Sequence, residues 1–363
     1  MTSARTPVHF LESCLGDVPR LAAIGLALFG SACVGPGRAG DLNPQSLRDA
    51  NEYSAARRGH SLLVSEHGRV VFEQYANGGG PRTTHKIYSG TKSFWSVATL
   101  AAAQDGLLGL DDRVSDTIGE WRGDRQRRDI TIRELMDFTG GLDPNFRLHS
   151  ATMADRNATA LKTPVVAARG KAFIYGPSHG QVLCEVLRRK LAPRGESPFG
   201  YLRRRVLDPL GIGGVEYRKD EKGNPLVASG FQLTARQWAK FGSLMLGRGS
   251  YDGRVVVQER LFDELLHGSR VNPAFGLGLW LNRGARSPGA REPDIEDLLE
   301  IPWQKQDWRG ACLCKNAPTD LFAAVGSGYN RLFVIPSRGL VIVRQGENAK
   351  FSDAEFLRRI LRP

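Results

Sequence analysis

A serine and a lysine stand three residues apart in Tyr88-Ser89-Gly90-Thr91-Lys92, the single Ser-x-x-Lys stretch of the chain. A serine hydroxyl becomes a useful nucleophile only when a neighbouring group takes its proton. If a helix starts here, this spacing puts the lysine on the serine's side of the first turn. The helix start would also offer free backbone N–H groups and the positive end of the macrodipole, so the Ser89 amide could help hold an oxyanion. Lys92 can act as base only if burial or nearby cations lower its proton affinity. The flanks favour burial: Ile87-Tyr88 leads in, and Phe94-Trp95 and Val97 to Ala103 follow. A four-residue motif also occurs by chance, and locally the pair could equally be a helix cap and a surface lysine.

A second serine competes for the nucleophile's role. Gly176-Pro177-Ser178-His179-Gly180 matches Gly-x-Ser-x-Gly, the strand-to-helix elbow of α/β-hydrolases, with Asp263 and His267 downstream in workable order. Such an elbow needs a mostly parallel sheet with alternating strands and helices, and residues 100–170 supply few strands. The cysteines carry less chemistry. Cys184 sits in an apolar helical pattern and reads as a small buried hydrophobe. Cys312 and Cys314 would share one side of a strand, but no His pair or second Cys cluster accompanies them, so no metal site and no cofactor are expected.

The elements that must position these residues follow from periodicity. Residues 60–75 hold two β-rich runs around Glu66-His67-Gly68, a hairpin. Thr91 to Gln104 is apolar at helical spacing, with Gly106 as a stop. Helical signals then dominate to about residue 225, including Ile132 to Phe138, Gln181 to Leu191 and Pro198 to Leu207; Thr234 to Leu246 is a further helix. Strand signals return at Phe275 to Leu281, at Leu321 to Val325 and Arg331 to Ile335 around Gly326-Ser327-Gly328, and at Gly339 to Arg344. Ser352 to Leu361 closes the chain as a helix, with Ser352 as cap and Glu355 at the third position. Strands at both ends with helices between predict an α+β fold: one antiparallel sheet built from both chain ends, flanked by helices, with an inserted mainly helical region. The expected organisation is a leader over 1–35, a linker over 36–50 and one domain over 51–363. In that domain an α/β part spans about 51–105 and 226–363, and a helical part about 106–225.

These ordered segments resemble the serine β-lactamase-related family, which includes class C β-lactamases, penicillin-binding D-amino-acid peptidases and related esterases and amidases. The resemblance rests on Tyr88-Ser-Gly-Thr-Lys-Ser-Phe, Asp105-Gly-Leu-Leu-Gly-Leu-Asp-Asp-Arg-Val, Asp129-Ile-Thr-Ile-Arg-Glu-Leu-Met-Asp-Phe-Thr-Gly-Gly-Leu142, Asp208-Pro-Leu-Gly-Ile, Leu233-Thr-Ala-Arg-Gln-Trp and Arg331-Leu-Phe-Val-Ile-Pro-Ser-Arg-Gly. It implies that Ser89 is the nucleophile and Lys92 its base. It also implies that Tyr175, in Gly170-Lys-Ala-Phe-Ile-Tyr175-Gly-Pro-Ser, is the second essential group, passing a proton to the leaving group. The family's third element, a Lys/His-Ser/Thr-Gly strand, is replaced by Val325-Gly326-Ser327-Gly328. Ser327 and Gly328 are the candidate oxyanion and substrate strand. Pro177 stands where the family has Asn, with Ser178 as a candidate substitute, and no strand cation is present to hold a substrate carboxylate. The expected activity is therefore a serine hydrolase forming an acyl-enzyme on a small ester, amide or peptide, with β-lactam hydrolysis left open. The competing class is a relative that keeps the pocket and only senses a ligand. The long polar insert from Asn282 to Gln306, with Trp303 and then Trp308, would form a lid or rim limiting substrate size, or a surface excursion without a role.

Composition bounds the rest. The chain has 363 residues, 41% of them hydrophobic, enough for one large or two moderate domains. The net charge of +12 could signal an anionic partner, but the basic residues are scattered and form no nucleic-acid-reading motif. Arg20 to Val34 has the layout of an export signal: a basic residue, an apolar run too short for a permanent span, then small residues. Cys33 after Gly30-Ser31-Ala32 is a candidate lipid-attachment site. The expected location is the bacterial cell envelope, periplasmic or lipid-anchored, with no transmembrane helix after removal of the leader.

Overall fold

The computed structural model describes residues 42–347 and 349–362. The expected leader, with Cys14 and Cys33, and the first part of the expected linker lie outside the described residues. The second half of the segment expected as a linker is helical: α1 (Pro44–Ala55) runs through it, with Asn43 capping the helix through its side chain and Leu47 and Ala50 buried.

Six strands form one antiparallel sheet: β1 (Gly59–Glu66), β2 (Arg69–Tyr75), β3 (Trp280–Leu281), β4 (Phe322–Gly326), β5 (Asn330–Ile335) and β6 (Leu340–Gly346). Their spatial order is β2-β1-β6-β5-β4-β3, so the first hairpin pairs directly with the last strand. The hairpin turn falls at His67-Gly68, both with positive φ, which suits a tight two-residue connection. β1, β5 and β6 are buried throughout, because helices cover both faces of the sheet. Leu63, Leu332, Val334, Val341 and Val343 join one core with α2 (Thr91–Gln104) and α4 (Ala235–Leu246). Leu62, Val64, Phe333, Ile335, Leu340 and Ile342 join the other, with α1 and α6 (Asp353–Ile360). The period of two along each strand thus feeds two cores at once.

Between the two halves of the sheet lies the helical region, led by α3 (Ser178–Leu191), with α5 (Ile295–Glu300) in the later insert. The fold is the expected α+β arrangement. α2 spans the residues predicted from periodicity, and Thr234 and Ser352 cap α4 and α6 as their types suggest. Three expectations change. The strand expected over Phe275–Leu281 reduces to Trp280–Leu281, because the chain turns back at Gly278 (φ +93°), where a Cβ would sit 2.2 Å from Ser96 Oγ. The helix expected over Pro198–Leu207 is α-helical only to Leu202 and widens to a π turn over Arg203–Leu207. Cys312 and Cys314 lie outside any strand, their thiols directed to the carbonyls of Arg291 and Ala354.

Candidate active site

Ser89 lies in a short 3₁₀ turn, Tyr88–Gly90, that runs into the N-terminus of α2. Tyr88 just before it adopts left-handed backbone, φ +45°, a conformation that costs a non-glycine residue free energy. Close packing imposes it. The Ile87 amide donates to Phe231 O at 3.1 Å, and Thr91 Oγ1 accepts from the Phe231 amide at 3.1 Å. A Cβ on Gly90 would meet Trp238 at 2.7 Å, and one on Gly326 of β4 would meet Ile87 O at 2.0 Å. The turn is wedged between the 231 segment, α4 and the end of β4, and both glycines are needed for that approach.

The spacing of three does what it implies. Lys92 Nζ lies 2.9 Å from Ser89 Oγ and donates to Ala228 O at 2.9 Å. The lysine is 8% exposed, and burial in this apolar setting lowers its pKa to about 7. An amine at that value is substantially neutral near neutral pH and can take a proton. Tyr175 completes the cluster. Lys92 Nζ stands 4.6 Å from the centroid of its ring, and the Ser89 side chain acts on its phenol, partly offsetting the effect of burial. Burial pushes the phenol up to about 12, so it stays protonated. The ring is held by Phe138, Phe275 and Trp280, at centroid distances of 5.0, 5.9 and 6.1 Å. Phe138, itself at φ +60°, accepts the Ile174 amide through its carbonyl, which registers the tyrosine segment.

These three side chains line one cleft of about 860 Å³. Its far wall is the β4–β5 turn, with Val325, Ser327, Gly328 and Tyr329. The two candidate strand residues differ there. The Gly328 N–H donates to Glu296 Oε2 at 2.9 Å, so it is already taken, whereas Ser327 is exposed to the cleft. The insert contributes Glu296, Asp297, Leu299 and Glu300 of α5 to the cleft, as expected of a rim. Trp308 instead packs behind Tyr175, against Phe173 and Trp280 at 5.5 and 5.0 Å.

Pro177 and Ser178 do not face the cleft. Pro177 is the buried N-cap residue of α3, and Ser178 is fully buried, its hydroxyl 3.4 Å from His179 Nδ1. Ser178 therefore neither replaces the missing Asn nor acts as an elbow nucleophile: the sheet is antiparallel, Asp263 is paired with Arg248, and His267 is exposed and beside Glu264. The Ala228 carbonyl, on the neighbouring segment, holds Lys92. Beside it, Ser229 Oγ lies 3.0 Å from His149 Nδ1, and His149 also lines the cleft. Burial, reinforced by Lys92, lowers His149 to about 4, so the ring is neutral at neutral pH. Sequence reasoning missed Ala228, His149 and Glu296. A carbonyl has no sequence signature, and nothing near the other two in sequence marks them as cleft residues. Among the described residues no group of three or more His, Cys, Asp or Glu is placed to hold a metal ion.

A sequence model of the Beta-lactamase family matches residues 45–346. Protein flp of Staphylococcus aureus (strain MRSA252) is 24% identical over 196 residues, which cover 48% of this chain and 38% of that protein. The match thus spans well under half of the curated relative's length. A D-stereospecific amidohydrolase from Streptomyces sp. superposes with a TM-score of 0.61 at 15% identity, covering 86% of this chain and 98% of the other. A family VIII carboxylesterase does so with a TM-score of 0.61 at 16% identity, covering 89% and 97%. At these identities the structural likeness is one of fold.

Proposed function

The chain belongs to the Beta-lactamase family, and on that premise we propose that it is a serine hydrolase working through a covalent acyl-enzyme on a small ester or amide. The observation that carries this reading is the desolvated Lys92 amine, 2.9 Å from Ser89 Oγ, with its pKa lowered to about 7. In this mechanism Ser89 Oγ attacks the substrate carbonyl while neutral Lys92 takes its proton. The amides of Ser89 and Ser327 hold the oxyanion. Tyr175, protonated at rest, hands a proton to the leaving group and is restored from Lys92. Water then releases the acyl group by the reverse route. The solved structures of similar fold include an amidohydrolase and a carboxylesterase, which fits this substrate class.

Charge narrows the substrate. The cleft is lined by Glu296, Asp297, Glu300 and Glu347, against Lys92 and Arg58, and Arg58 is largely exposed and 3.9 Å from Glu347. A carboxylate-bearing substrate such as a β-lactam would meet more like charge than opposite charge. Neutral or cationic esters and amides fit better. The proposed location remains the cell envelope, on the strength of the apolar run before Cys33. Fractionation of cells expressing the full chain and a Cys33→Ala variant checks it: the variant should leave the membrane fraction.

Burst kinetics with p-nitrophenyl acetate test the activity. A burst stoichiometric with protein, lost in Ser89→Ala, is the expected result. A wild-type protein that binds the ester without a burst would instead be a ligand-sensing relative.

A further inference from the structure

The turn that faces Ser89 is fixed from outside. Gly328 and Tyr329 both have positive φ, +73° and +56°, and the second is a strained choice for a residue with a side chain. From the insert, Glu296 accepts three hydrogen bonds: from the Gly328 amide at 2.9 Å, the Tyr329 amide at 2.7 Å and Arg331 Nη1 at 2.9 Å. Its neighbour Asp294 caps α5 and accepts from the Tyr329 hydroxyl at 2.8 Å. From the sheet side, Arg331 Nη1 donates to Gly326 O at 2.8 Å, Asn330 Nδ2 to Ser327 O at 2.8 Å and Arg344 Nη1 to Tyr329 O at 2.6 Å. Arg331 and Arg344 are fully buried, and Asp353 supplies Arg331 with a second carboxylate. Of the three amides from Ser327 to Tyr329, that of Ser327 alone has no acceptor among the described residues.

We propose that Glu296 is a positioning residue for the proposed hydrolysis: by consuming the two following amides and bracing Arg331, it leaves the Ser327 N–H aimed at the oxyanion. Through Glu296 alone, the insert then serves catalysis beyond any limit it sets on substrate size. Without the carboxylate, the Gly328 and Tyr329 amides lose their acceptor together, and Arg331 keeps only the Asp353 carboxylate. The strained turn would relax, and the Ser327 amide would drift from a position where small displacements are costly. This inference rests on the serine hydrolase reading.

The test uses the full chain, with p-nitrophenyl butyrate turnover normalised to the burst-titrated active sites, fluorophosphonate labelling and thermal melting. Glu296→Ala should lower kcat about 10²-fold, the scale on which loss of one oxyanion donor is felt, with KM changed less than about twofold. Glu296→Gln keeps one carbonyl oxygen and should recover part of that loss, and it serves if the alanine variant fails to fold. Glu292→Gln, which removes the insert's ion pair to Arg358 away from the cleft, should lower the melting temperature and leave kcat unchanged. Wild-type kcat in both Glu296 variants, or an equal loss of kcat in Glu292→Gln, overturns the inference alone. No labelling of wild-type Ser89 overturns the hydrolase reading and this inference with it.

Discussion

The two walls of the cleft are built on different principles. The wall proposed to carry the nucleophile is local: Ser89, in the 3₁₀ turn that leads into α2, and Lys92, in the first turn of α2, lie 2.9 Å apart. The wall proposed to hold the oxyanion is assembled from far apart. The residues flanking Ser327 are held by Glu296, Arg331 and Arg344, brought together by an insert and two strands. A reacting group that also bears the local motif can be found in a sequence. A backbone amide aimed by buried ion pairs cannot, because its signature is spread over residues that each read as ordinary surface charge or strand.

Lys92→Met breaks the nucleophile wall with the largest effect. It should lower kcat/KM by at least about 10⁴-fold while raising thermal stability. The sign follows from the lowered pKa. Between about pH 7 and the ordinary lysine value near 10.5, the unfolded chain holds one proton more than the folded one. The wild-type protein therefore gains stability with rising pH across that window, and its deficit relative to Lys92→Met is largest below pH 7. Differential scanning calorimetry at pH 6 and pH 10 checks this, with the gap narrowing at the higher pH. In the wild type, kcat/KM should rise through pH ~7 and stay level until the phenol of Tyr175, near 12, begins to ionise.

Tyr175→Phe should cost about 10²–10⁴-fold in kcat, more for amides than for activated esters, since only a poor leaving group needs the proton. Equal loss on both substrates would remove the tyrosine from leaving-group protonation. Gly326→Ala tests the seam between the walls. Its Cβ would lie 2.0 Å from Ile87 O, so β4 must draw back from the nucleophile turn. The expected cost is about 1–3 kcal/mol in denaturant unfolding, together with a fall in kcat of about tenfold. The smallest expected effect concerns charge. A choline-like cationic ester should be preferred over its carboxylate counterpart by about fivefold in kcat/KM at low salt, and the preference should shrink as salt rises. A preference for the carboxylate would mean that Arg58, not the α5 acids, governs the rim.

The sheet was readable from sequence because both chain ends carry strands, and α2 because its apolar residues repeat at helical spacing up to Gly106. Phe275 to Leu281 misled because Gly alternating with large residues imitates a strand. The alternation serves a reversal at Gly278, packed on Ser96. Ser178 carried an elbow motif only by coincidence: its helix buries it against His179. Ser327 and Gly328 both line the cleft as a pair read from sequence would, but the carboxylate that occupies the Gly328 amide comes from 32 residues earlier in the chain, so the difference between them has no local signature.

In the proposed mechanism Ser89, not Ser178, is acylated. Mass spectrometry of tryptic peptides after fluorophosphonate treatment tests it most directly. One adduct is expected on the peptide containing Ser89, lost in Ser89→Ala and unchanged in Ser178→Ala. An adduct on the Ser178 peptide, or labelling that survives Ser89→Ala, would contradict it.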